Sequence, residues 1–242
     1  MRMSYLLLLV LNGLQLSAQN TNLSTKQNRL EVKYKNVSFT LIKMATGKTM
    51  IGHKEANFGN STPYEASITK AFYIAETEVT QELYQAVMGV NPSYHKGPNL
   101  PVEKVSLAEA INFTKKLSQY TGKQFRLPTN HEWEYACKAG ADTPYPWADK
   151  SPLNYAWHHK NTKTSQAVKT KLPNAFGLYN MNGNVSEWVS PEGPIKPGSV
   201  YHTARGGNYN SGTNALMSAH FFERYSFNKT SIIGFRLALE NE

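Results

Sequence analysis

Glycine and proline interrupt this chain along its whole length, with 16 Gly and 12 Pro scattered rather than clustered. Such punctuation forces many turns between short elements and excludes long helical bundles and coiled coils. The 242 residues suit one large domain or two small ones, and they can bury a sizeable core. Aromatic residues make up 12% of the chain beside 18% charged, a balance foreign to disordered chains. Cys137 is the lone cysteine, so an intramolecular disulfide and a multi-cysteine zinc site are excluded. Lys and Arg outnumber Asp and Glu by 26 to 17, which leaves nucleic acid, an anionic surface or an acidic partner open. The cations are dispersed, however, with Lys160, Lys163, Lys169 and Lys171 forming one loose cluster. No nucleic-acid module accompanies them, so nucleic acid is not expected as a partner.

The first segment reads as an address. A short basic start, Met1–Tyr5, precedes the apolar run Leu6–Leu11, and Leu16-Ser17-Ala18 supplies small residues for cleavage. The run is too short to span a bilayer, and its flanks fit a secretory signal peptide over residues 1–18. No transmembrane segment is expected after cleavage, and no cysteine stands near the cleavage point for lipid attachment. The protein is expected in the periplasm or secreted. Residues 19–36 are polar and read as a flexible leader, and residues 37–242 as one domain.

Within that domain, Val37–Ile42 alternates apolar and polar side chains as a strand does, and Met50–Gly52 and Ala71–Ile74 suggest two more. Thr80 can cap a helix through Leu83, Tyr84 and Val87 that Gly89 stops. Ser106-Leu107-Ala108-Glu109 is a capping box, in which Ser and Glu each satisfy a free backbone donor of the other. The helix it opens is expected to bury Leu107, Ala110, Ile111, Thr114 and Leu117 and to end near Gly122. A second box, Thr129 with Glu132, opens a helix carrying Trp133, Ala136 and Cys137 and ending at Gly140. Phe235–Leu239 closes the chain as a strand. No repeat or linker is evident, and one compact α+β domain is the simplest reading.

Several segments could carry chemistry. His131-Glu132-Trp133-Glu134-Tyr135 is a near miss for H-E-x-x-H, because Tyr135 stands where the second zinc-ligating His is needed, and it reads instead as a capped amphipathic helix. His158 and His159 point to opposite faces of an extended segment and read as a solvated loop pair. No G-x-S-x-G elbow is present. Asn180–Trp188 gathers amide and carboxylate oxygens around Gly183. Asn180 and Glu187, with carbonyls between them, could supply about four of the six to eight oxygens that calcium requires, although Asn-Gly segments are also ordinary turns.

Taken together, the segments resemble the formylglycine-generating enzyme family, also called the sulfatase-modifying-factor family. The resemblance rests on Phe72-Tyr73-Ile74 with Glu78-Val79-Thr80, Asn91-Pro92-Ser93, Pro101–Ser106 and Arg126–Thr129. It continues through Glu132–Ala136, Tyr145-Pro146-Trp147, Asn174–Asn180, Gly183-Asn184-Val185, Glu187-Trp188, Arg205-Gly206-Gly207 and Gly234-Phe235-Arg236. It implies a single loop-rich C-type-lectin-like α+β domain with few short helices and strands. It also implies a structural calcium site at Asn180, Gly183, Val185 and Glu187, through two side chains and two carbonyls. A second family calcium site has only Asn154 as a remnant. The family's copper-dependent oxidases carry two cysteines shortly after the Arg-Gly-Gly motif, and Ser211 and Leu216 occupy those places here. Copper(I) requires soft thiolate ligands, so copper and formylglycine formation are not expected.

The resemblance therefore implies an exported, non-oxidase binding or cell-envelope assembly module. No catalytic residue is assigned. Its ligand groove is expected at Arg205, Asn208, Ser211 and His220, with Phe221-Phe222 either packed in the core or turned to a protein or glycan of the envelope. One alternative is an oxidoreductase with a non-cysteine metal site at His202, His220 and Glu223. Another is a calcium-dependent glycan-binding protein with exposed aromatics beside the calcium loop.

Overall fold

The computed structural model describes residues 28–56, 62–148, 150–193 and 198–241. The expected signal peptide and most of the expected leader lie outside these residues. The leader does not extend to residue 36, because Arg29–Tyr34 forms strand β1, paired antiparallel with β2, Val37–Met44. Leu30, Val32 and Tyr34 alternate with charged neighbours, the pattern of a strand with one covered face.

Two further strands, β3 (Gly47–Ile51) and β4 (Tyr64–Ile68), pair into a separate ribbon before β5, Phe72–Ala75. Helix α1, Gln81–Met88, begins where Thr80 Oγ1 accepts the Leu83 N–H and ends at Gly89, whose φ of 80° suits a residue without a Cβ. Helices α2 (Leu107–Thr121) and α3 (Asn130–Lys138) both start on complete capping boxes, as expected. Between them lies the short strand β6, Phe125–Arg126. Helix α2 buries Phe113 where Ile111 was expected, and α3 stops at Ala139 rather than Gly140. The loop-rich second half holds β7 (Ser186–Trp188), β8 (Tyr201–Arg205) and β9 (Phe221–Tyr225). The chain finishes with β10 (Ile233–Phe235) and β11 (Ala238–Glu240).

These strands form a five-stranded sheet ordered β1-β2-β5-β11-β6 and a four-stranded sheet ordered β10-β7-β8-β9. The expected single strand over 235–239 is thus two strands in different sheets. Phe235 ends the parallel pairing with β7, and Ala238 begins antiparallel pairing with β5 and β6. Arg236 and Leu237 carry the chain between the sheets, both fully buried.

The larger sheet has two unlike faces. Leu41 and Leu239 pack with Leu83, Leu107, Phe113 and Leu117 of α1 and α2 in an apolar core. Ile42, Met44 and Ile74 face the other way, towards Trp133, Ala136 and Cys137 of α3. The smaller sheet joins both sides: Trp188, Ala204 and Phe235 enter the first core, while Glu187 and Arg205 face α3.

Candidate functional site

A connected series of buried ion pairs joins α3 to both sheets. Glu187, on β7, receives Arg236 Nε at 2.6 Å on Oε2 and Nη2 at 2.7 Å on Oε1. The Trp133 indole donates to the same Oε2 at 2.7 Å. Directly across the strand pair stands Arg205, whose guanidinium lies 2.9 Å from Glu134 Oε2. Lys138, one turn further along α3, approaches Glu134 Oε1 at 3.2 Å and donates to the Gly52 carbonyl. Beside Arg236, Glu78 accepts amide hydrogens from Asn180 at 3.1 Å and Asn184 at 2.9 Å. Burial pushes the Glu78 carboxyl up to about 7, with Arg236 opposing and Glu187 adding to the rise.

These contacts decide what the expected calcium ligands can do. Asn180 keeps a buried Oδ1 without a hydrogen-bond partner, which suits a ligand oxygen. Glu187 does not fit, since both oxygens are engaged and a cation approaching them would meet the Arg236 guanidinium. Gly183, at φ 87°, serves close packing: a Cβ there would come within 2.3 Å of the Trp157 carbonyl oxygen. Val185 is fully buried. The donor set does not fit a calcium ion held through both side chains.

The expected groove is closed. Arg205 and His220 are buried, as are Asn208 and Ser211. Arg205 donates to Asn130 Oδ1 and the Ser218 carbonyl besides its pairing with Glu134. Asn208 donates to Ser186 Oγ, and Ser211 Oγ accepts the Asn208 N–H at 2.9 Å. The His220 ring sits edge-on to Phe222, 4.4 Å between centroids. Asn208 and Ser211 close a turn against β7, and Arg205 ties the strand before it to α3, so the four residues do not line an open surface. Phe221 and Phe222 are half-buried, each against an arginine, Arg205 and Arg224.

The thiol positions are equally committed. Leu216 is fully buried and packs with Trp147 and Ala156. Cys137, distant in sequence, comes close in space through Asn182, which donates to both Cys137 Sγ and the Leu216 carbonyl. Burial pushes this thiol up to about 12, so it stays protonated at neutral pH. One protonated thiol beside Leu216 and Ser211 does not fit copper(I).

The alternative metal site does not assemble. His202 stands opposite Arg224 and Thr203 opposite Glu223, so His202 and Glu223 project from opposite faces of the β8–β9 pair. Among the described residues, no group of three or more His, Cys, Asp or Glu is placed to hold a metal ion. The two loop histidines also differ from expectation. His158 is fully buried with neither ring nitrogen hydrogen-bonded, while His159 Nδ1 lies 2.7 Å from the Ser211 carbonyl oxygen. His131 pairs with Glu192, and Glu132 with Arg126, leaving α3 the capped helix its sequence suggests.

A loop-rich α+β scaffold with two small sheets and a buried arginine–glutamate seam is a C-type-lectin-like domain of the formylglycine-generating-enzyme type. Residues 27–241 match the sulfatase-modifying factor enzyme 1-like domain, and the chain belongs to that family. Its fold is similar to Treponema denticola variable protein 1, with a TM-score of 0.81 and 28% identity over 88% of this chain and 99% of that one. PvdO from Pseudomonas aeruginosa shares the fold, with a TM-score of 0.75 and 23% identity over 84% of this chain and 94% of that one. In sequence, the chain is 28% identical over 198 residues to chaperone protein LppX of Paenibacillus barcinonensis, covering 59% of this chain and 71% of that protein. It is 32% identical over 158 residues to the formylglycine-generating enzyme of Mus musculus, covering 55% of this chain but only 41% of the enzyme. The chain therefore spans less than half of that enzyme's length.

Proposed function

We propose that this chain is an exported, non-oxidase binding or envelope-assembly module built on the family scaffold. The observation that carries the reading is the pair Ser211 and Leu216, a hydrogen-bonded hydroxyl and a core alkyl group where copper chemistry needs two thiolates. Its likeness to a protein named as a chaperone supports an assembly role. So does an exposed aromatic column on the outer hairpin, where Tyr201 and Tyr225 lie 4.3 Å apart and Tyr225 and Phe227 stack at 5.1 Å. Aromatics of this kind anchor protein partners. They replace Phe221-Phe222 as the surface to test.

The column does not favour glycan. Tyr201 lies four residues along β8 from Arg205, the neighbour of Glu187, about 13 Å by strand rise, so the column does not stand beside the expected calcium loop. Closure of the Asn180–Glu187 segment rests, in this reading, on the Glu187–Arg236 pair rather than on calcium.

Oxygen consumption with copper(I) and a cysteine-containing peptide tests the first half. No turnover is expected, and stoichiometric copper binding with oxygen-dependent turnover would overturn the non-oxidase reading. A photocrosslinking residue at position 227, used in the producing cell, tests the second half. One discrete adduct is expected there, with none from the same group at Leu153. Export is checked by fractionating that cell and determining the N-terminus of the released protein.

A further inference from the structure

An open slit of about 510 Å3 separates the α3 face of the larger sheet from the loop that follows Asn174. Ile42 and Met44 of β2 form one wall, and Tyr135 of α3 and Phe176 form the other. The two rings lie 5.7 Å apart and tilted, packed against the core on the α3 side, and the slit runs beside them. The volume falls within the roughly 300–1,000 Å3 of small-molecule sites, and apolar walls with few polar groups are the usual lining of such sites.

The charges at its mouth have one sign. Arg29 lies opposite Ile42 across the β1–β2 ladder and so points to the slit side. Lys43, between Ile42 and Met44 on β2, turns its ammonium to the opposite face over the Tyr73 ring, and no carboxylate lines the slit. The nearest acid contact is Glu76, which pairs with Arg29 and also with Lys169. Two cations thus share one carboxylate, and the mouth keeps a single positive excess. The chain's own residues 19–27, Gln-Asn-Thr-Asn-Leu-Ser-Thr-Lys-Gln, match it poorly, having one apolar side chain and a further cation.

We propose that this slit binds a small amphiphilic monoanion of the medium-chain fatty-acid type, its tail between Ile42/Met44 and Tyr135/Phe176 and its head at Arg29. This site is separate from the aromatic column and independent of the assembly role.

Titration of the full chain with anilinonaphthalene sulfonate, an apolar anion, and phenylnaphthylamine, its uncharged analogue, tests it. Both probes are expected to bind saturably at one site, and decanoate to displace them. Ala175→Trp, placed on an exposed residue bordering the slit, should abolish binding of both. Arg29→Gln should weaken the anion roughly three- to fivefold, the strength of a partly solvated ion pair, and leave the uncharged probe unchanged. Arg29→Lys should restore most of the loss. Equal weakening of both probes by Arg29→Gln would mean a disturbed fold rather than a lost charge, and would overturn the head-group assignment. Probe binding indifferent to Ala175→Trp, or no saturable binding at all, would overturn the site.

Discussion

The two faces of the larger sheet solve the same packing problem with opposite chemistry. On the α1–α2 face, Leu41, Phe113, Leu117 and Leu239 meet in an apolar core that any well-shaped set of side chains could approximate. On the α3 face, Trp133 and Met44 share the interior with Glu187, Arg236, Arg205 and Glu134. The apolar face supplies burial, whereas the ionic face fixes which loop meets which strand, because each buried charge requires particular partners. That second face also holds the open slit. Rigidity there comes from pairing rather than from filling space.

Breaking one partner on the ionic face should have the largest effect. Glu187→Ala leaves Arg236 buried without its counter-ion and should cost about 3–5 kcal/mol in urea unfolding. Replacing both partners, Glu187→Leu with Arg236→Met, should recover most of that loss, since apolar substitutes avoid the desolvation penalty. A double variant no better than the single one would mean that Arg236 has a further indispensable role, such as its bonds to the Ala75 and Tyr179 carbonyls. On the other face, Leu117→Ala should cost roughly 2–4 kcal/mol through lost burial and a cavity. The costs of Glu187→Ala and Leu117→Ala should add within about 0.5 kcal/mol, because the sheet separates them. Strong coupling would show that the two faces are not independent.

The same contrast governs what could be read before the structure. Helix α2 was legible because its box, its spacing and its terminal glycine are all local features. Strand β2 was legible for the same reason. The ionic face was not, because Glu134 and Arg205, or Glu187 and Arg236, are brought together by topology and have no mark in neighbouring residues. One signal was available: Arg236 sits within an apolar stretch, and a cation there calls for a buried partner. The groove expectation failed for a related reason. The resemblance implies a groove at Arg205, Asn208, Ser211 and His220 from motif order, which carries no information on burial, whereas each is folded inward. The β10–β11 division was hidden because both strands are mainly apolar, and period two shows no change of sheet.

Smaller effects should distinguish the helices that cover each face. Ser106→Ala and Thr129→Ala each remove a cap accepting one backbone N–H and should cost roughly 1 kcal/mol. Glu132→Ala should cost more than Thr129→Ala, because Glu132 also holds Arg126 through two bonds, at 2.6 and 2.7 Å. Comparing the urea midpoints of these variants checks the order.

Acid should act through the polar side. Burial, then His159, Lys160 and Lys171, hold His158 below its ordinary 6.5, so the unfolded chain binds that proton more readily. Its contribution is complete above 6.5 and is lost as pH falls below that value. Glu78 acts in the opposite sense: raised from 4.5 to about 7, it stabilises most below 4.5, and that contribution fades as pH rises through about 7. His158→Gln should raise stability at pH 5 relative to pH 6.5, against the opposed Glu78 contribution, in urea unfolding. A variant with an unchanged slope would place the acid-labile group elsewhere.

The smallest expected effect separates the ion pair from an ion. A ligand that binds only the folded state raises stability by an amount set by its concentration and affinity. If calcium closed the Asn180–Glu187 segment, millimolar calcium would raise the melting temperature and a chelator would lower it, by about 2–4 °C per kcal/mol for a chain of this size. With Arg236 already on both Glu187 oxygens, no shift is expected from either addition. A reproducible rise with calcium that disappears in Asn180→Ala would put the open Asn180 Oδ1 to use as a ligand. It would require Glu187 to share its charge between guanidinium and metal, and the ionic face would then owe its rigidity to both.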